Sequence, residues 1–239
     1  MKMLAIIPDR GGSKRIPKKN IRLFCGKPII SYSIEIAQRC NCFDEVMVST
    51  DSEEIAEIAC QYGAKVPFMR SPETSNDYAG LVEVINEVYT EYLKRGRKFI
   101  TLCCLLPTVP FVRTDRILRG RDLLAKENFD SVLSVTRFSY PIWRALERND
   151  GSTAVKMIWP ENYPKRSQDF SPVYHDAGRF YWINPDQCLP KKRLYTDKTG
   201  SIEVPESEVQ DIDTDEDWKI SEFKHRYFFL AAVAPSAFL

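Results

Sequence analysis

Short apolar runs and stretches of helical spacing alternate along the first 136 residues. Met3–Pro8 is an apolar run closed by proline, the pattern of a strand buried on both faces. Ile29, Ile30, Ile34 and Ala37 recur at helical spacing and predict a helix over 28–39. A second strand is expected at 45–50. Asp51-Ser-Glu-Glu supplies a cap and an acidic first turn for a helix that ends near Gly63. A third strand is expected at 65–69. Leu81, Val84, Ile85, Val88 and Leu93 form one face of a helix over 79–95, closed by Gly96. The wholly apolar run 99–106 is a fourth strand stopped by Pro107, followed by a helix over 113–127 and a strand over 131–136.

Alternation of this kind builds an α/β fold, a parallel sheet with helices on both faces, and places ligands outside the C-terminal ends of the strands. Loops 9–20, 49–51, 70–80 and 107–110 all fall at such ends. The rhythm breaks after residue 139. Segments 141–148 and 153–159 predict a hairpin around Asn149-Asp150-Gly151, a polar Pro-containing stretch fills 161–172, and 179–183 is strand-like. Residues 139–180 are therefore expected to be an arm on a single domain spanning 1–239. An acidic run, 211–217, opens a last helix over 216–227. The apolar tail, 228–239, is assigned no function.

Composition narrows the classes. With 34 Lys+Arg against 33 Asp+Glu the net charge is +1, which argues against a nucleic-acid coat or a polybasic membrane binder. No uncharged apolar run approaches membrane-spanning length, and the opening run is too short for a signal peptide. Seven cysteines without a C-x-x-C pair, and only two histidines, argue against zinc and disulfide frameworks. Reduced, mostly core cysteines in a cytoplasmic protein are expected.

Two segments carry candidate chemistry. Loop 10–20, RGGSKRIPKKN, combines Gly11, Gly12 and Ser13 with the cations Arg10, Lys14, Arg15, Lys18 and Lys19. Glycines let the backbone approach an anion, and exposed N–H groups with cations form a polyphosphate nest. It is neither a Walker A loop nor a G-x-G-x-x-G fingerprint. A solvated basic loop is the plain alternative, and the position after strand one favours phosphate. Asp211 and Asp213 alternate along an extended segment, so both carboxylates can face one Mg²⁺. An acidic helix start explains them equally well. Ser49-Thr50-Asp51 reads as a helix cap, Arg70 and Asp77 as a surface pair, His175 as structural, and Phe180-Tyr181-Trp182 as core.

The segments AIIPDRGGSKRIPKKNI, GKPII, VSTDSEEIAEIA, YGAKVPFMRSPE, LLPTVPF and DIDTDEDW, in that order over about residues 3–225, resemble the cytidylyltransferases that activate nine-carbon sialic-type sugars. RSQD, YHDAG with FYW, and EVQDIDT look most like the branch acting on pseudaminic acid, which makes a CMP-sugar for bacterial surface glycosylation. The resemblance implies a Rossmann-like nucleotidyltransferase (GT-A-like) three-layer sandwich with an inserted dimerisation arm, working as a homodimer on CTP and a nonulosonic acid. It implies that Arg10, Lys19 and Asn20 meet the CTP phosphates, with Gly11, Gly12 and Ser13 in the same loop. It places Arg70, Asp77 and Ala79 at the base and ribose, and Mg²⁺ on Asp211 and Asp213. Arg166 on the arm is implied to reach the sugar of the partner subunit. Leu106, Thr108, Gln168, His175 and Phe180 are expected on the sugar side. Sialic acid enzymes carry Gln-Pro-Thr-Ser-Pro where this chain has Leu106-Pro-Thr-Val-Pro110.

Overall fold

A computed structural model describes residues 2–13 and 15–230, without the side chains of 229 and 230. Lys14 of the basic loop and the tail beyond residue 230 lie outside the described residues. Six strands form one sheet: β1 Met3–Pro8, β2 Glu45–Ser49, β3 Thr101–Leu105, β4 Ser131–Arg137, β5 Tyr174–Ile183 and β6 Thr199–Glu203. Their spatial order is β6-β4-β5-β3-β1-β2. β1 lies between β2 and β3, parallel to both, which is why its residues are apolar in succession. Ala5 and Ile7 point to one face, Leu4 and Ile6 to the other.

The helices that cover these faces follow from the apolar spacing. On the Ala5 face lie α1 (Ile29–Arg39), α2 (Glu53–Gln61) and α4 (Thr114–Lys126), through Ile30, Ile34, Ile55, Ala59, Ile117 and Leu124. On the Leu4 face lies α3 (Leu81–Lys94), through Ile85, Val88, Tyr89 and Tyr92. These are the expected three layers. A smaller cluster of Ile16, Phe24, Ile29, Phe111, Ile212 and Trp218 packs the last helix, α5 (Asp215–His225), against the loop that follows β1. A capping box starts α5: Asp217 N donates to Thr214 Oγ1 at 3.1 Å, and Thr214 N donates to Asp217 Oδ2 at 2.8 Å.

Several expectations change. The sheet is mixed, because β5 runs antiparallel to both β3 and β4. The expected arm therefore loses residues 174–180 to the sheet. The β4–β5 ladder ends in the pairs Thr136↔His175 and Arg137↔Tyr174, and the chain between them, 138–173, leaves the sheet as the excursion. Within it the expected hairpin is two residues per strand, Leu146 with Met157 and Glu147 with Lys156. The strand expected at 65–69 reduces to a single bridge, Met47↔Lys65, and β6, parallel to β4, was not foreseen. Finally, the cap of α2 is Ser52, whose Oγ accepts from Ile55 N, leaving Asp51 free for another task.

Candidate active site

Loop 9–20 leaves the C-terminal end of β1 and is fastened at its base. Asp9 N donates to Ser49 O at 2.9 Å, and the Asp9 side chain is only 1% exposed. Asn20 Nδ2 donates to Asp9 Oδ1, closing the loop on itself, while Asp9 Oδ2 and Asn20 Oδ1 are buried without partners. Burial raises the Asp9 carboxyl to about 7, against the opposing pull of Asn20, Arg70 and Lys19. Gly11 N donates to Asp51 Oδ1 at 2.8 Å, and a Cβ on Gly11 would sit 3.1 Å from Ser52 Cβ, so the small residue permits this approach. Gly12 faces open space, and Ser13 Oγ turns back to donate to Ile16 O at 2.8 Å. Lys18 is left-handed at φ 52° and ties to Glu54 of α2 at 2.7 Å.

Arg10, Arg15 and Lys19 span two acidic segments. Arg10 Nη1 donates to Asp77 Oδ1 at 2.8 Å and to Asn76 O at 2.9 Å. Ala79 is held beside them, its N donating to Asn76 Oδ1 at 3.0 Å. Lys19 Nζ donates to Ile212 O at 2.7 Å and stands 3.8 Å from Asp213 Oδ1; Arg15 pairs with Asp213 Oδ2. Burial lowers the Lys19 pKa, opposed by Asp213. Ile212 is 1% exposed and anchors the segment in the core, so the carboxylates on either side are fixed by one buried side chain and one carbonyl. Among the described residues no group of three or more His, Cys, Asp or Glu is placed to hold a metal ion.

Arg70 is not a surface partner of Asp77. Its guanidinium is buried and donates from Nε to Ser49 Oγ at 3.0 Å and from Nη2 to Ser49 O; its own N donates to Thr50 O. Burial lowers its pKa, countered first by Asp9 and then by Asp51.

Beside Asp211 opens a cavity of about 450 Å³. Leu106 and Thr108 line it from the end of β3, Thr136 and Arg137 from β4, His175 to Arg179 from β5, and Gln210, Asp211 and Lys224 from the C-terminal part. Leu106, Thr108 and His175 thus meet at one site. Phe180 does not join them: it is fully buried with Trp182 in the core under α4, and it shows no surface to the cavity. Gln168 lines a separate cavity of about 300 Å³ within the excursion, and Arg166 is exposed and pairs with Asp169 at 3.0 Å. Asp9, Asn76, Arg179 and Lys224 are site neighbours that sequence reasoning did not single out, and Asp51 was read only as part of a helix cap. Asp9 and Asp51 sit at the ends of predicted strands, which was their one available signal.

A sheet with a basic loop after its first strand, an acidic segment tied to that loop through Ile212 O and Asp213, and an adjoining cavity suits nucleotidyl transfer. The cytidylyltransferase family profile matches residues 4–216, and the chain belongs to that family of enzymes. Among characterised relatives, it is 38% identical to a pseudaminic acid cytidylyltransferase of Campylobacter jejuni, over 95% of this chain and 97% of that protein. It is 34% identical to a CMP-N,N'-diacetyllegionaminic acid synthase of Legionella pneumophila, over 93% and 95%. It is 35% identical to N-acylneuraminate cytidylyltransferase A of Danio rerio, over 91% of this chain but 49% of that longer protein. A CMP:2-keto-3-deoxy-manno-octonic acid synthetase structure complexed with CTP shares the fold, with a TM-score of 0.69 at 18% identity over 93% of this chain and 98% of that one.

Proposed function

We propose that the protein transfers CMP from CTP to a nonulosonic acid, with pseudaminic acid the preferred sugar, releasing pyrophosphate. The observation that carries this reading is the lock between Lys19 and Ile212: it holds the phosphate loop against Asp211 and Asp213 at the mouth of a sugar-sized cavity. The names of the full-length relatives support the choice of substrate class.

In this reading Arg10 and Lys19 bind the β- and γ-phosphates that leave as pyrophosphate, and the sugar's anomeric hydroxyl attacks the α-phosphorus in line. Positioning and charge neutralisation are most of what such a transfer asks of a protein. Asp9 and Asn20 set the loop from beneath. Arg70, Asp77 and Ala79 are assigned to the nucleoside side.

Asp211 and Asp213 suit Mg²⁺. Both are hard oxygen donors, and Asp213 already attracts the cationic Arg15 and Lys19. A pair without a third protein ligand matches an ion that completes its shell with phosphate oxygens and water. Mg²⁺ bound there supplies charge neutralisation at the reacting phosphate.

The excursion 138–173 is read as the dimerisation arm. It exposes Tyr140, Leu146, Val155, Ile158 and Tyr163, an apolar set that a second subunit would cover. Arg166 lines no part of the cavity within its own chain, in keeping with action on the partner's sugar.

Leu106 on the cavity wall favours pseudaminic acid, whose tail ends in a methyl group and carries a second acetamido group, over N-acetylneuraminic acid. A buried hydroxyl without a partner costs about 1–3 kcal/mol, about a ten- to hundredfold preference. Legionaminic acid shares the tail chemistry and ranks second. The test is pyrophosphate release and product mass from CTP with each of the three acids. An equal or better kcat/KM for N-acetylneuraminic acid overturns the choice of sugar, and no CTP-dependent release with any of them overturns the reaction.

A further inference from the structure

The cavity holds a cation that the cytidylyl-transfer reading has not used. We propose that Arg179 binds the carboxylate of the sugar acid, from within the same chain that forms the cavity. This rests on the reading of the substrate as a nonulosonic acid.

Arg179 is 3% exposed, and its Nε is buried without a hydrogen-bond partner. Among the described residues no carboxylate lies within ion-pair distance of its guanidinium. A buried guanidinium normally has a counter-ion, because desolvating it without one costs several kcal/mol. Burial does lower its pKa, to about 10, which leaves it charged at neutral pH.

The backbone places this charge deliberately. Leu133 pairs with Tyr181 and Val135 with Asp176, so Ser134 alone on β4 faces four residues of β5. The slack is taken up at Gly178, left-handed at φ 59°, and Ser134 Oγ accepts from Arg179 N at 3.2 Å and from Phe180 N at 3.3 Å. Such an irregularity re-aims the side chains beside it. Here Phe180 goes to the core and Arg179 to the cavity lining.

The acids nearby have other commitments. Asp176 accepts from Gly178 N, Tyr181 Oη and Tyr195 Oη, and Glu206 accepts from Ser139 Oγ. Asp211 exerts the largest attraction on Arg179, yet it is one of the proposed metal carboxylates and makes no ion pair with it. A second cation of the lining, Lys224, donates to two neutral oxygens, Val209 O at 3.0 Å and Gln210 Oε1 at 3.1 Å. The cavity is therefore built to receive an anion. Phosphate and carboxylate share the chemistry a guanidinium reads. The sugar carboxylate is the one that fits, because no residue of the phosphate loop lines this cavity.

The experiment compares pseudaminic acid with its methyl ester, which keeps the sugar and removes the charge. Wild type is expected to favour the acid by about 30-fold or more in kcat/KM. Arg179→Gln is expected to abolish that preference while KM for CTP stays within about threefold. Arg179→Lys is expected to retain part of it. A merely structural role would lower acid and ester equally and leave their ratio at the wild-type value, and that result overturns the proposal. A rise in KM for CTP with an unchanged ratio assigns Arg179 to a phosphate and overturns it too. If Arg179→Gln fails to fold, the ratio in Arg179→Lys decides, and an unchanged value counts against the proposal. Calorimetric titration of wild type with acid and ester needs no turnover. Equal affinities overturn the proposal even where CMP transfer proceeds, whereas preferential acid binding without CMP transfer faults the reaction and keeps the site.

Discussion

Asp9→Asn isolates a pH dependence built into the base of the basic loop that follows β1. The Asp9 carboxyl lies at about 7 in the folded protein because burial disfavours its charge, against 3.8 as the ordinary value. A group whose pKa is raised on folding stabilises the protein while protonated, and that contribution is lost as pH rises through the folded value. At about 1.4 kcal/mol for each tenfold change, the full loss is about 4 kcal/mol, most of it between pH 4 and 7. Asparagine keeps the oxygen that accepts from Asn20 but puts an amide where Oδ2 now has no partner, a fixed cost of about 1–3 kcal/mol. The offset does not depend on pH, so the difference between variant and wild type carries the signal. Urea unfolding at pH 5 and pH 8 should show the variant gaining about 2–3 kcal/mol on wild type between the two. A difference that stays flat would mean that Asp9 titrates near its ordinary value and that its burial is not maintained in solution.

Other expectations follow from single contacts. Asp213→Asn should cut turnover by about 100-fold or more with an unchanged melting temperature, since its pair with Arg15 is exposed and contributes about 0–1 kcal/mol; activity within a few-fold of wild type removes it from the site. Lys19→Ala should weaken CTP binding by about tenfold or more in calorimetry, through loss of a charge that the proposed reading sets against the phosphates; unchanged affinity sinks that assignment. Gly178→Ala should cost about 1–2 kcal/mol in chemical unfolding from its left-handed backbone alone, because the nearest atom to a new Cβ is Leu106 Cδ1 at 3.7 Å; no loss argues that the irregular register of β5 is absent. Mixing inactive Arg166→Ala with inactive Asp213→Asn should restore activity once heterodimers are confirmed, and none returning places Arg166 outside the partner's site.

Most of the first half of the fold was legible because its helices and central strands bury faces that their own residues announce. Ile30 and Ile34, or Ile85 and Val88, need no distant partner to reveal their helix. β5 was only partly legible: its neighbours are set by a 36-residue excursion, and nothing in Tyr174-His175-Asp176 announces that it enters the sheet antiparallel. The strand expected at 65–69 failed for a related reason, since a short apolar run at the sheet edge beyond β2 makes only one bridge. In the site, the basic loop and the Asp211–Asp213 pair were visible as local composition. Phe180 was placed on the sugar side because its neighbours resemble a sugar-site segment, and the turn at Gly178 sends it inward. That same turn hid Arg179, because an arginine inside a strand-like run gives no sign of which way it faces.

Since β4 and β5 are adjacent and antiparallel, the 36 residues from 138 to 173 form the tip of one very long hairpin. Both ends of that tip leave the sheet from paired positions, Arg137 and Tyr174. A tight four-residue turn could therefore join the strands without moving either. By loop-closure entropy it would leave the sheet more stable by about 2 kcal/mol. The tip can thus lengthen, shorten or change its contacts through insertion and deletion while the sheet keeps its register.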